Sequence, residues 1–327
     1  MITREQLENN QVWVYIATLA LAAGVGLLWT DFGSNLVSWI SISLGILMYG
    51  MFSQIPFFRI KEALSNRRFI YALLTVNYLF IPILVWILTR FLPDHPPLLL
   101  GVFLVLLTPC IDYVIVFTQL GRGNEKLILI ATPLLFVTQM LLLPVYLWLF
   151  MGEEASKLVH FAPFFESFFE LIALPLAIAL LIQAVAKRGR LGAGLLEASA
   201  WIPVPFMAIT LFVIVASQIG KLSGSFEMIR SVIPIYIAFM AITPFISRFL
   251  ARWFKLDIGA GRALIFSGAT RNSLVVLPFA LALPADTSSL VTAVIVTQTL
   301  VEIIGELIYI RLVPKLILRG DAMVSSV

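Results

Sequence analysis

The chain has 327 residues, of which 61% are apolar and 12% charged, with a formal net charge of +4. Soluble domains run at about 45–50% apolar and about 25% charged, so this composition argues against a soluble enzyme and for a polytopic membrane protein, all-α in class and held in a lipid bilayer. The positive charge is no nucleic-acid footprint, because the basic residues other than Arg271 sit between apolar runs or at their ends.

In chain order, runs of mostly apolar residues long enough for a spanning helix, about 20 residues, lie at about 11–29, 35–55, 69–91, 97–120, 127–151, 164–186, 199–219, 228–251, 262–283 and 287–313. Met1 to Asn10 carries too many charges for a cleaved signal and is expected to remain as a short leading segment. Basic residues collect on the cytoplasmic side of a membrane, which tests the span count. Arg4, Arg59, Lys61, Arg67, Arg68, Arg122, Lys126, Lys187, Arg188, Arg190, Arg248, Arg252, Lys255, Arg262, Arg311, Lys315 and Arg319 fall on one side, 17 in all, against Arg90, Lys157, Lys221 and Arg230 on the other. The asymmetry predicts ten spans in a plasma (inner) membrane, with both termini in the cytoplasm.

Ten spans divide into two sets of five, about 11–151 and 164–313, and an odd number per half requires the second half to be inverted. Inverted repeats place their binding sites where matching helices are interrupted near the midplane. Span four reads LLLGVFLVLL, then TPCID, then YVIVFTQL; Pro109 removes a backbone donor beside Thr108, Cys110 and Asp112. Span nine reads RALIFSGA, then TRNS, then LVVLPFALAL, with Gly268, Thr270, Arg271, Asn272 and Ser273 at its middle. Broken helices 4 and 9 are therefore predicted to cross and to present orphan N–H and carbonyl groups at one depth. Pro56, Pro82, Pro144, Pro175, Pro203, Pro205, Pro234 and Pro244 occur in the other spans and only kink them, since spans four and nine alone combine a break with mid-span charge.

An ionisable residue at bilayer depth costs roughly 2.5–3.5 kcal/mol on insertion scales, so Asp112, Arg271 and Glu302 need a reason to be there. Asp112 and Arg271 lie at matching depths and are expected to pair, either as a static pin between helices or as a pair that opens when substrate or ion binds. Gln298, Glu302 and Glu306 are spaced four apart and share one face of span ten, which lines a polar cavity or packs through hydrogen bonds; Glu302 is the better candidate for a coupling proton or cation, and Glu306, nearer the cytoplasmic end, could be solvated. Glu166 and Glu170 read as a wetted start of span six. Asn77, Thr138 and Gln139 are secondary cavity-lining candidates, with interhelical hydrogen bonding as the plainer role.

Cys110 is the only cysteine, so it can close no internal disulfide and rules out paired-cysteine zinc sites. His95 and His160 both fall between spans, leaving no histidine cluster within the membrane, and no GxxxxGK[ST] phosphate loop occurs. No cofactor, no resident metal and no nucleotide-driven pumping are expected. A buried thiol is often a small apolar filler, but at a helix break it is also a soft ligand suited to trivalent arsenic or antimony.

These residues resemble a family. The ten spans, TPCIDYVIVF in span four, the polar interruption in span nine and the late LVEIIGELIYI segment look like the arsenite-efflux permeases of the bile acid/sodium symporter superfamily. The resemblance implies core and panel subdomains built from two inverted five-helix repeats. It implies export of arsenite or antimonite in exchange for protons, with the essential span-four cysteine falling on Cys110 and the span-ten glutamate on Glu302. One departure stands out: the permeases carry an acidic residue after the span-nine asparagines, where TRNSLVV offers none, while Asp112 adds an acid in span four.

Two transport readings remain open. In the first, a neutral metalloid hydroxide meets Cys110, Thr108, Asn272 and Ser273, while Asp112, Arg271 and Glu302 handle the coupled proton. In the second, a sodium-coupled symporter takes up an organic anion that Arg271 and the half-helix N-termini meet, while Asp112, Asn272 and Glu302 help hold sodium. An intramembrane enzyme or sensor is disfavoured, because the spans hold neither a cysteine–histidine pair nor a pair of aspartates. Small-molecule or metalloid substrate and a proton or sodium ion are the expected partners, with no nucleic acid; the oligomeric state is not legible.

Overall fold

A computed structural model describes residues 4–59, 66–111, 113–152, 166, 168–187, 189–218 and 226–319. In chain order the helices are α1 (Arg4–Leu28), α2 (Thr30–Asn35), α3 (Val37–Gln54), α4 (Arg67–Thr75), α5 (Ile81–Thr89), α6 (Pro96–Leu106), α7 (Val114–Leu120), α8 (Glu125–Met151), α9 (Leu174–Ala186), α10 (Arg190–Ser199), α11 (Pro203–Gln218), α12 (Phe226–Trp253), α13 (Ile258–Ala269), α14 (Ser273–Leu281) and α15 (Ala285–Leu312). Wider π turns join α4 to α5 at Val76–Phe80, precede α9 at Phe169–Ala173 and follow α15 at Val313–Ile317. Among the described residues the protein is all-helical apart from one isolated antiparallel bridge.

Six stretches are long and apolar enough to cross a membrane unaided: Val37–Gln54, Arg67–Thr89, Glu125–Met151, Phe169–Ala186, Glu227–Trp253 and Thr287–Ile317. The other four expected spans differ for visible reasons. Residues 97–120 and 262–283 are each divided between two shorter helices, the stretch around 199–219 is bent by 43° between Gly192–Ser199 and Pro203–Ser217, and the apolar part of α1 is limited to Trp13–Leu28. Large apolar side chains such as Trp13, Leu141, Trp148, Leu181, Phe245 and Trp253 stand exposed on the helices, a surface that lipid accommodates and water does not. The protein is an integral membrane protein.

The chain falls into two compact units. The first comprises Met1–Ile55, Val159–Phe226 and Leu277–Ala293. In it α1 packs on α11, and α3 lies against both α9 and α11. Close approach is set by small residues: a Cβ on Gly33 would lie 2.3 Å from the Ala216 carbonyl oxygen, so only glycine fits there. The end of α3 is closed by Gln183 of α9, whose amide nitrogen lies 3.1, 3.1 and 2.9 Å from the Phe52, Ser53 and Ile55 carbonyls. Those carbonyls belong to the orphan groups that every helix end leaves.

The second unit comprises Pro56–Leu158, Glu227–Val276 and Val294–Val327. Its helices begin on side-chain caps: Asn66 accepts from the Phe69 N–H at 3.2 Å, Asn124 from Leu127 at 3.3 Å and Asp257 from Ala260 at 2.8 Å. α13 is buried from Gly259 to Ala269. Near its start Arg262 donates to the Arg122 carbonyl at 3.0 Å and to the Leu318 carbonyl at 2.9 Å, fastening the α7–α8 turn and the chain end to it.

Prolines inside these helices take away the N–H that would reach the carbonyl four residues back, and in lipid such a carbonyl needs another donor. Hydroxyl groups supply it. For Pro82 the Tyr78 carbonyl accepts from Tyr146 at 2.6 Å; for Pro133 the Leu129 carbonyl accepts from Thr132 at 2.7 Å. For Pro244 the Met240 carbonyl accepts from the Tyr309 hydroxyl.

Gln183→Leu leaves the α3 carbonyls short of donors and is expected to lower stability by about 0.5–2 kcal/mol, the range for such bonds in membrane proteins. Thermal unfolding in detergent measures it, and Gln183→Glu, which keeps the size but loses the donors, is expected to do no better.

Candidate substrate and ion site at two interrupted helices

Span four breaks after Leu107, the last residue whose N–H follows the helical path, reaching Phe103 at 3.1 Å. Pro109 has no N–H to give Val105, and the Thr108 hydroxyl faces that carbonyl at 3.2 Å and the Leu104 carbonyl at 2.9 Å. Span nine breaks at Thr270, whose backbone turns extended at the end of α13. Its hydroxyl folds back on the Phe266 carbonyl at 2.7 Å. Asn272 restarts the helix, its Oδ1 accepting the Val275 N–H at 3.2 Å as the N-cap of α14.

The two breaks satisfy one another. Pro109 and Arg271 face each other in an antiparallel bridge. The Cys110 N–H donates to the Thr270 carbonyl at 3.1 Å, and the Asn272 N–H donates to the Thr108 carbonyl at 2.8 Å. Thr108, Cys110, Thr270, Arg271, Asn272 and Ser273 are all buried. Asp112 lies outside the described residues, so its expected pairing with Arg271 is not placed.

The described partners of the Arg271 side chain are neutral oxygens. Nη2 lies 2.6 Å from the Ser267 carbonyl, 2.6 Å from the Gly268 carbonyl and 2.8 Å from Asn77 Oδ1, while Nη1 reaches the Leu106 carbonyl at 3.4 Å. The guanidinium carbon sits 5.6 Å from the centre of the Phe239 ring. Asn77 stands in the π turn between α4 and α5 and also donates to Ser267 Oγ at 3.2 Å. The Leu106, Ser267 and Gly268 carbonyls are in the last turns of α6 and α13, so one guanidinium meets the negative ends of two half-helices.

Two carboxylates of α15 complete the cluster. Glu302 Oε2 accepts the Arg271 backbone N–H at 2.7 Å and the Gln298 amide at 2.5 Å; Oε1 lies 2.7 Å from the Tyr113 hydroxyl. That hydroxyl also lies 3.1 Å from the Arg271 carbonyl. Glu306 is fully buried rather than solvated, because Thr270 Oγ1 meets its Oε1 at 2.9 Å across the break. The Thr270 hydroxyl thus faces both Glu306 and the Phe266 carbonyl, as Tyr113 faces both Glu302 and the Arg271 carbonyl. In each case one hydroxyl hydrogen stands between two acceptors.

Several buried polar atoms have no hydrogen-bond partner among the described residues: Arg271 Nε, Asn272 Nδ2, Ser273 Oγ, Gln298 Oε1 and Glu306 Oε2. They leave the cluster with donors and acceptors for a polar solute. Gln139 is buried on α8 with both amide atoms equally unpartnered, and no described hydrogen bond joins it to the crossing. Thr138 is half-buried, while Glu166 and Glu170 are exposed. Among the described residues no group of three His, Cys, Asp or Glu side chains is arranged to hold a metal.

The model of the sodium bile acid symporter family matches residues 41–225, more than half of the chain. The chain belongs to the sodium bile acid symporter family. No curated protein matches it. The family is one of membrane transporters, which agrees with an apolar helical protein carrying a buried polar cluster. Within this family member, Tyr113 and Ser267 join the site although sequence reasoning passed over them. Their signal was adjacency to the two breaks, in TPCIDY and in SGATRN.

Asn272→Ala removes the cap of α14 and is expected to cost about 1 kcal/mol, whereas Asn272→Ser, a comparable cap, retains most of the stability. Thermal midpoints of the two variants in the same detergent decide this.

Proposed function

We propose that the protein is a secondary transporter that exports arsenite or antimonite in exchange for protons, with its substrate site at the paired breaks. On this reading its ten spans form two inverted five-helix repeats, at about 11–151 and 164–313, with both termini in the cytoplasm of a plasma (inner) membrane. Cys110, Thr108, Asn272 and Ser273 meet the substrate. Asp112, Arg271 and Glu302 belong to the coupling machinery, and Gln298 and Asn77 support it.

The observation that carries the reading is the surroundings of Cys110. The only thiol in the chain sits in one break, bridged to the other, within a cluster that still offers an amide donor on Asn272 and a hydroxyl on Ser273. Arsenous acid is a neutral solute with a soft centre and hydroxyl groups. A thiol suits the centre, and the amide and hydroxyl suit the oxygens. A single sulfur binds weakly, as a carrier that must release its cargo requires.

Glu302 is assigned the proton on hydrogen-bond arithmetic. Tyr113 has one hydrogen for two acceptor oxygens, the Glu302 Oε1 and the Arg271 carbonyl. A proton on Oε1 lets Glu302 donate to Tyr113 and Tyr113 to the carbonyl, while Oε2 still accepts from the Arg271 N–H and Gln298. Among the described residues the neutral form is thus fully bonded, and release of the proton leaves one acceptor short. Binding and release of that proton therefore change the contacts across the break.

The family's description favours a second reading, sodium-coupled uptake of an organic anion by Arg271 and the half-helix N-termini. Against it stands the commitment of both terminal nitrogens of the guanidinium to four oxygens of the protein, which leaves only Nε without a described partner. Cys110→Ala separates the two: arsenite efflux from everted vesicles is expected to fall more than about tenfold, since a soft ligand is lost, while uptake of an organic anion would scarcely change. Retained arsenite efflux in this variant defeats the first reading.

Glu302→Gln copies the neutral form, its amide donating to Tyr113 and accepting from the Arg271 N–H. It is expected to fold and to exchange labelled substrate, but to lose accumulation driven by an imposed pH gradient. Undiminished gradient-driven transport would remove Glu302 from the coupling step.

A further inference from the structure

The proton assignment leaves Arg271 without a separate task, and its surroundings supply one. Its guanidinium is held by the Ser267 and Gly268 carbonyls at 2.6 Å each, Asn77 Oδ1 at 2.8 Å and the Leu106 carbonyl at 3.4 Å. All four acceptors are neutral oxygens, and three are main-chain carbonyls at the ends of interrupted helices. In transporters built on such helices, half-helix C-terminal ends and unwound carbonyls are the groups that coordinate a sodium ion. We propose that the Arg271 guanidinium is a tethered cation that occupies the position a sodium ion would otherwise take, so that this chain works without sodium.

The charge balance fits. Each helix C-terminus carries a partial negative charge, and the guanidinium lies against the ends of both α6 and α13. The tether is short and its anchor is fixed: the Arg271 N–H is bound to Glu302 Oε2 at 2.7 Å, its carbonyl accepts from Tyr113 at 3.1 Å, and the residue is bridged to Pro109. A dissociable sodium ion adds its gradient to transport. A covalently attached cation neutralises the same carbonyls but crosses nothing, so it removes sodium from the stoichiometry and leaves another ion to drive the cycle. The inference rests on the transporter reading but not on the identity of the cargo.

The test is thermal unfolding of the purified full-length protein in detergent, in sodium chloride and in choline chloride of equal ionic strength. The wild-type protein is expected to unfold at the same temperature in both salts. Arg271→Ala is expected to unfold earlier in choline and to regain about 2–4 °C in sodium, saturably, because an ion that binds only the folded state stabilises it by mass action. Arg271→Lys, which keeps a positive charge on a similar tether, is expected to be as indifferent to sodium as the wild type.

A saturable sodium stabilisation of the wild-type protein overturns the proposal, as does a folded Arg271→Ala that gains nothing from sodium. Should Arg271→Ala not fold, the wild-type and Arg271→Lys measurements decide, and sodium sensitivity in either is the overturning result. None of these readouts involves arsenite. Failure of the arsenite reading appears as absent arsenite efflux with sodium indifference intact, whereas failure of this proposal appears as sodium sensitivity whatever the cargo.

Discussion

The structure around the two breaks depends on one constraint: a peptide group at bilayer depth has no water to turn to, and leaving it unpaired costs several kcal/mol. Interrupting one helix exposes such groups, and interrupting two in register lets them answer each other. Cys110 N–H to Thr270 carbonyl and Asn272 N–H to Thr108 carbonyl are that answer. What the bridge does not reach is taken by side chains of the same few residues: the hydroxyls of Thr108 and Thr270, the amide of Asn272 and the guanidinium of Arg271. The polar groups that make this place chemically competent are thus the ones needed to close the backbone. On the proposed transport reading, function and folding draw on the same atoms.

The same rule governs the helices around the crossing. Where Pro82, Pro133 and Pro244 withhold a hydrogen bond, Tyr146, Thr132 and Tyr309 deliver one from a side chain. Thr108 does so for Pro109, and the break there goes further because the following residues pair with another segment instead of resuming the helix. A proline alone therefore bends a span. A proline followed by polar residues that have a matching partner breaks it.

That distinction explains what the sequence made visible. TPCID and TRNS stand out because proline, threonine and asparagine interrupt long apolar runs, and such residues serve as caps and turn formers wherever they occur. The face shared by Gln298, Glu302 and Glu306 followed from helical spacing alone. Other features were hidden for physical reasons. Tyr113 looks like one more aromatic of an apolar helix until the Glu302 carboxylate is set 2.7 Å from its hydroxyl. The burial of Glu306 depends on Thr270, 36 residues away, and not on its distance from the helix end. The partners of Arg271 are not legible in the sequence because, Asn77 apart, they are main-chain carbonyls whose charge arises only once two helices end.

A committed arginine also bears on the kind of solute such a site suits. An anionic cargo would have to draw the guanidinium from the Ser267 and Gly268 carbonyls and from Asn77, and charge-assisted hydrogen bonds of this sort are worth about 1.5–3 kcal/mol each. Their loss would also uncover the carbonyl ends of α6 and α13. A neutral solute asks for none of this: it needs only the groups left without partners on Asn272, Ser273 and Gln298, together with whatever Cys110 contributes. The arrangement from which we infer a tethered cation therefore also makes a charged cargo costly. On the proposed reading, a substrate without charge suits such a site, and a proton on Glu302 can be exchanged without dismantling the crossing.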